Sequence, residues 1–165
     1  MRVLPVLSAL TAVTLSLGAA TANAQSSNIQ ATATVLTAIT ITPTNLVFGN
    51  VTPGVNKTIA ITDAGTGKWA VVKAAASSVS LSFTLPAVLN GPAASTMTIG
   101  TWTGGYNNTA DVPGSATGFT PSATPTVVPS GGANLWVYVG ATVSPGAAQT
   151  AGSYSNTVTM SIAYL

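Results

Sequence analysis

The side chains that could do chemistry are few. Beyond an N-terminal stretch, the charged side chains are Lys57, Lys68, Lys73, Asp63 and Asp111, and the whole chain has no His and no Cys. A nucleophilic Ser or Thr needs a base to activate it. With no His and no Glu, no triad can be assembled. Metal hydrolases need His, Cys or several carboxylates, and two Asp are too few for most sites. No metal, cofactor or catalytic residue is therefore expected. The closest approach to an enzyme is an Asp63–Asp111 dyad sharing a proton. Against it, Asp63 precedes a Gly-rich turn, where Asp commonly caps the backbone, and Asp111 lies beside Val112-Pro113 in a loop. Gly65-Thr66-Gly67-Lys68-Trp69-Ala70 matches a nucleotide-binding GxGxxA by letter only. That motif works at a helix N-terminus, and here the chain continues as a strand, so a hairpin turn is the reading.

Three lysines against two aspartates after the first stretch leave almost no net charge. Nucleic-acid binding needs several phosphate-neutralising cations and is not expected. So neutral a chain also has little electrostatic resistance to association. That is a fault in a free monomer and tolerable in a subunit.

The elements that would position these groups are strands. Residues 1–24 read as a signal peptide: Arg2, an apolar run from Val3 to Ala20, and Ala22-Asn23-Ala24 as the cleavage pattern. No later run is long enough to span a membrane. The chain is thus expected to be exported, with residues 25–165 forming one domain. Period-two alternation dominates there. Ile29, Ala31, Ala33, Val35, Ile39 and Ile41 share one face of a long first strand. Further strands are expected at Leu46–Phe48, Val55–Ile61, Trp69–Ala74, Val79–Leu85, Met97–Ile99, Leu135–Val139 and Tyr154–Tyr164. Turns such as Pro53-Gly54 and Pro145-Gly146 separate them. The expected fold is an all-β, Ig-like or pilin-like two-sheet antiparallel sandwich of about 7–9 strands.

Residues 103–133 read as a long Gly/Pro/Asn/Thr-rich loop. Beside it, Trp102, Tyr106, Asn107 and Asn108 could contact a glycan, the aromatics stacking on sugar rings and the amides bonding hydroxyls. The alternative is that Trp102 closes the core. Asn56-Lys57-Thr58 and Asn107-Asn108-Thr109 are glycosylation triplets by letter.

The apolar first strand, then Leu46-Val47-Phe48-Gly49 with Val51, then a terminal Gly-x-Tyr strand, resembles the DUF4402 family of exported bacterial proteins. More distantly it is similar to archaic chaperone-usher pilins and spore-coat-U-type domains, many of which carry a disulfide that this chain lacks. The resemblance implies donor-strand exchange. One copy's sandwich lacks a strand, a periplasmic chaperone fills the gap, and an outer-membrane usher passes the subunit to the next copy's N-terminal extension. Carried over, residues 25–41 would hold the donor strand, with Ile29, Ala31, Ala33, Val35, Ile39 and Ile41 as its apolar positions. Tyr154, Val158, Met160, Ile162 and Tyr164 would form the paired C-terminal strand. Self-pairing of residues 29–41 inside their own sandwich stays open. So do two functions: a fimbrial or surface-coat subunit bound to other copies, or a monomeric surface adhesin using the 103–133 loop.

Overall fold

A computed structural model describes residues 25–165; the expected signal peptide lies outside the described residues. The described residues form ten strands: β1 Thr40–Thr44, β2 Lys57–Ile59, β3 Gly67–Val72, β4 Val79–Thr84, β5 Val88–Asn90, β6 Thr96–Asn107, β7 Thr117–Phe119, β8 Thr126–Val128, β9 Asn134–Ser144 and β10 Thr159–Tyr164. All pairings are antiparallel. The larger sheet has seven strands, ordered β1-β3-β9-β6-β5, with β2 beside β9 and β7 beside β6. The smaller has three, ordered β10-β4-β8. The fold is an all-β sandwich, as the alternation predicts.

Strand β9 shows why. Leu135, Val137, Val139, Ala141 and Val143 are all buried on its inner face, because successive side chains alternate across the sheet. The smaller sheet answers with Val79, Leu81 and Phe83 of β4 and Met160 of β10. Trp69 and Phe83 meet between the layers with ring centroids 5.9 Å apart, and Phe83 meets Phe119 at 5.5 Å.

The sheets do not match in extent. The β4–β10 layer covers the half of the large sheet built from Val71, Leu135 and Val137. The other half carries a second cluster of Met97, Ile99, Ala141 and Val143. A bulge between Gly100 and Thr103 in β6 marks the change, with Thr101 at φ 48°. This conformation is rare for a β-branched residue. Irregular segments, contributing Leu46, Phe48, Val51 and Tyr154, partly cover this second cluster.

Four expectations need correction. The long first strand is not formed: residues 25–39 have no regular secondary structure, and β1 begins at Thr40. Leu46–Phe48 is no strand; it lies irregularly over the second cluster. The last strand begins at Thr159, not Tyr154. Finally, the 103–133 region is not one uninterrupted loop. β6 runs to Asn107, and β7 and β8 follow. Their three-residue length gave too little alternation to read.

Candidate functional site: a cleft in an incomplete sandwich

Where the small sheet stops, the sandwich is open. A cleft of about 1020 Å³ lies over the second cluster. Its floor is apolar: Trp69, Leu89, Met97, Ile99, Val139 and Val143. One wall is residues 43–51 and the other is residues 149–158.

The C-terminal wall is bolted down. Asn90 and Ser155 exchange two backbone hydrogen bonds, and Asn156 Nδ2 donates to the Val88 carbonyl at 2.8 Å. The Tyr154 hydroxyl donates to the Thr150 carbonyl and accepts from Gln149 Nε2, each at 2.7 Å. Two glycines make room. A Cβ on Gly91 would collide with the Tyr154 ring, and one on Gly152 would come 2.7 Å from Pro92. Gly152 also sits at φ +144°, a region disfavoured for residues with a Cβ. The opposite wall is held by Val47 N–H on the Gly65 carbonyl at 2.8 Å and by Lys57 Nζ on the Asn50 carbonyl at 2.9 Å.

Below the cleft, β10 forms the edge of the small sheet. It pairs with β4 alone, so its outer row of backbone groups has no strand partner among the described residues. Natural edges are usually blunted by Pro or charge. Here β1 carries Pro43, β2 carries Lys57, and β8 lies between Pro125 and Pro129. Residues 146–165 contain neither Pro nor any charge.

The expected C-terminal set is split. Met160, Ile162 and Tyr164 point inward from β10 onto the inter-sheet core. Tyr154 and Val158 precede the strand and line the cleft. The expected donor set is split too. Ile39 packs against its own core and Ile41 belongs to β1, opposite Val71. Ile29 and Val35 are 94% and 95% exposed, and Ala31 and Ala33 are exposed as well. The expected donor therefore shortens to residues upstream of Thr37.

The glycan-contact expectation is corrected by the position of its residues. Trp102 packs on the second cluster, and Tyr106 faces Phe119 at 6.3 Å inside the sandwich. Asn107 is buried. Its Oδ1 accepts from Thr109 N–H, Thr109 Oγ1 and Ala110 N–H, and its Nδ2 donates to the Val112 carbonyl and Ser115 Oγ. It is an organiser of the following loop. Asn108 is half-buried, close to Gly131. Trp102 and Tyr106 are thus both partly buried in packing contacts and do not form an exposed pair.

The loop that Asn107 organises delivers Asp111 to the outer face of the large sheet. Asp111 Oδ2 accepts from Lys68 Nζ and Oδ1 from the Tyr138 hydroxyl, both at 2.7 Å. The Lys68 hydrogen bond, with that of Tyr138, holds the Asp111 carboxyl below its ordinary range despite desolvation. Burial, then Asp111, pushes the Tyr138 phenol up. Asp63 lines the same small hollow but caps its own turn, accepting from Ala60 N–H at 2.8 Å. Asp63 is engaged by its own turn and Asp111 by Lys68 and Tyr138, so the pair is a turn cap and a loop latch.

No protein-family model, curated protein or solved structure matches the chain.

Sequence reasoning missed the walls of the cleft. Gly91, Gly152 and Gln149 carry the C-terminal one, and the signal for it was the run of turn-forming residues on either side of Tyr154.

Proposed function

We propose that this chain is an exported structural subunit of a fimbria or surface coat that assembles by β-strand complementation. The observation that supports it is a pairing of opposites in one chain. A cleft with an apolar floor, walled by irregular segments and not by a paired strand, adjoins an unblunted edge strand, and the apolar ribbon Ile29, Ala31, Ala33 and Val35 lies in solvent.

Strand addition satisfies edge N–H and C=O groups while alternate side chains enter pockets. Each larger apolar side chain buried contributes about 1.5–3 kcal/mol. The geometry also favours a second copy as the source. β1 begins at Thr40, opposite Val72, which itself pairs with Asn134, whereas the cleft is floored by Val139 and Val143, towards the other end of β9. A ribbon upstream of this start would have to turn back to enter its own cleft, whereas insertion into a second copy is a head-to-tail contact that repeats into an open filament. A periplasmic chaperone would fill the same cleft in transit.

The test is electrophoresis of residues 25–165 in SDS without boiling. A ladder that collapses on boiling is expected. Replacing Ile29 and Val35 by Asp removes the ladder while the circular dichroism spectrum stays unchanged. Monomer alone in the unsubstituted protein overturns the reading.

A further inference from the structure

The C-terminal strand grips the point from which the N-terminal ribbon departs. The Tyr164 ring packs on the inter-sheet core. Its hydroxyl accepts from the Ala74 N–H at 2.7 Å and donates to the Thr37 carbonyl at 2.7 Å. A phenol has one proton to give, and Tyr164 spends it on Thr37.

The turn on which Tyr164 leans is itself fixed. Lys73 is 1% exposed, and its Nζ donates to the Ser77 carbonyl at 2.8 Å and the Ala74 carbonyl at 3.3 Å. Burying a cation is unfavourable unless its protons are matched, so these bonds lock the turn around it. Lys73 N–H reaches the Ala133 carbonyl and Ala76 N–H the Gly131 carbonyl, each at 2.8 Å. Leu165 N–H closes onto the Ser78 carbonyl at 3.2 Å. A continuous set of bonds therefore runs from the end of the sandwich, through one phenol, to Thr37. Upstream of Thr37, the ribbon residues are exposed and carry no regular structure.

We infer that Tyr164 is a positioning residue for strand donation: by holding Thr37 it fixes where the ribbon leaves one copy and so sets the stiffness of the joint to the next. This deepens the assembly reading and rests on it. Residues 25–36 become the donor, and Ile39 with β1 stays in the body of the subunit.

The test uses residues 25–165 intact, with Tyr164→Phe, which keeps the ring and removes the hydroxyl. The first readout is chymotrypsin cleavage after Leu36. A proteolytic site must leave its bonds to be cut, and one hydrogen bond of ordinary size corresponds to a factor of about 3–10. Cleavage is expected to quicken by about that factor while cleavage inside the sandwich is unchanged. The second readout is filament persistence length by electron microscopy. It is expected to fall at least twofold with the yield of polymer unaltered. A Gly-Ser insertion between Leu36 and Thr37 touches no sandwich contact and is expected to soften filaments likewise, which keeps the test valid should Y164F fold poorly. Unchanged cleavage with Y164F, or unchanged stiffness with the insertion, overturns the joint and leaves the assembly reading standing. A parent chain that forms no polymer overturns both.

Discussion

Asn90 and Ser155 are joined by a reciprocal pair of backbone hydrogen bonds, each 2.9 Å, that fastens the C-terminal wall of the cleft to an edge of the large sheet. The cleft is thereby a built feature and not a gap left by loose packing. Beside it, Gly91 leaves the space that the Tyr154 ring fills. On the proposed reading the acceptor is preformed, which lowers the ordering cost of association.

Gly91→Ala tests that wall. The new methyl would drive the Tyr154 ring from its place and break its bonds to Thr150 and Gln149. Overpacking of this kind costs about 1–3 kcal/mol. Urea unfolding should show a lower midpoint, and SDS-resistant polymer should diminish with it. A fully stable Gly91→Ala would remove the argument that Tyr154 is held in one place.

Asn107→Ala should weaken the loop from Asn108 to Ser115. It removes five hydrogen bonds at a buried site. Leaving buried partners unmatched costs about 1–3 kcal/mol for each group that water cannot reach. The expectation is a loss of at least about 2 kcal/mol in urea unfolding, and faster proteolysis between Ala110 and Ser115. For the same reason Asn107 is closed to glycosylation despite its triplet.

Acid should loosen the same loop. The Asp111 carboxyl lies below its ordinary value of 3.8 in the folded chain. The folded state therefore binds fewer protons than the unfolded one in that interval, and stability rises with pH across it. The contribution is whole above about pH 5 and fades as pH falls through the folded value. Because Lys68 and Asp111 are partly exposed, at 28% and 42%, the pair is worth at most about 1 kcal/mol. Asp111→Asn should flatten the acid limb of a melting-temperature profile, and a limb identical to the parent's would assign the acid sensitivity elsewhere.

Replacing Ile29 and Val35 together by Asp should separate folding from assembly. Both side chains are solvent-exposed, so the stability of the monomer should shift by no more than about 0.5 kcal/mol. Sedimentation should show the polymer gone. Loss of the monomer's own fold would place the ribbon inside its own sandwich.

Much of this was legible in the sequence, and the reasons are physical. Val79, Leu81 and Phe83 alternate with Ser80 and Ser82, and such a strand can bury only one face. Strand β9 was readable from Leu135, Val137 and Val139 for the same reason. The ribbon was readable as apolar and alternating, but alternation says which side chains share a face, not whether a partner strand exists. Hence Ile39 and Ile41 were grouped with Ile29, although the Tyr164–Thr37 bond separates them. Trp102 and Tyr106 looked like loop aromatics because Gly104 and Gly105 stand between them. The structure shows the reason for both glycines: a Cβ on Gly104 would strike Phe119 and Pro121, and one on Gly105 would crowd Ile61 and Ala116. Small residues there make room for the packing of β7, which a linear pattern cannot display. The cleft was illegible because its walls, residues 43–51 and 149–158, are irregular segments far apart in sequence.

The central claim is that the cleft of one copy takes the ribbon of another. The chain has no cysteine of its own, so two single-cysteine variants, Ala31→Cys in the ribbon and Val158→Cys at the cleft, can be mixed and oxidised. The account predicts a covalent heterodimer that forms well above the level of either homodimer and disappears when Ile29 and Val35 of the ribbon variant are changed to Asp. Random or absent cross-linking between the two variants would contradict it.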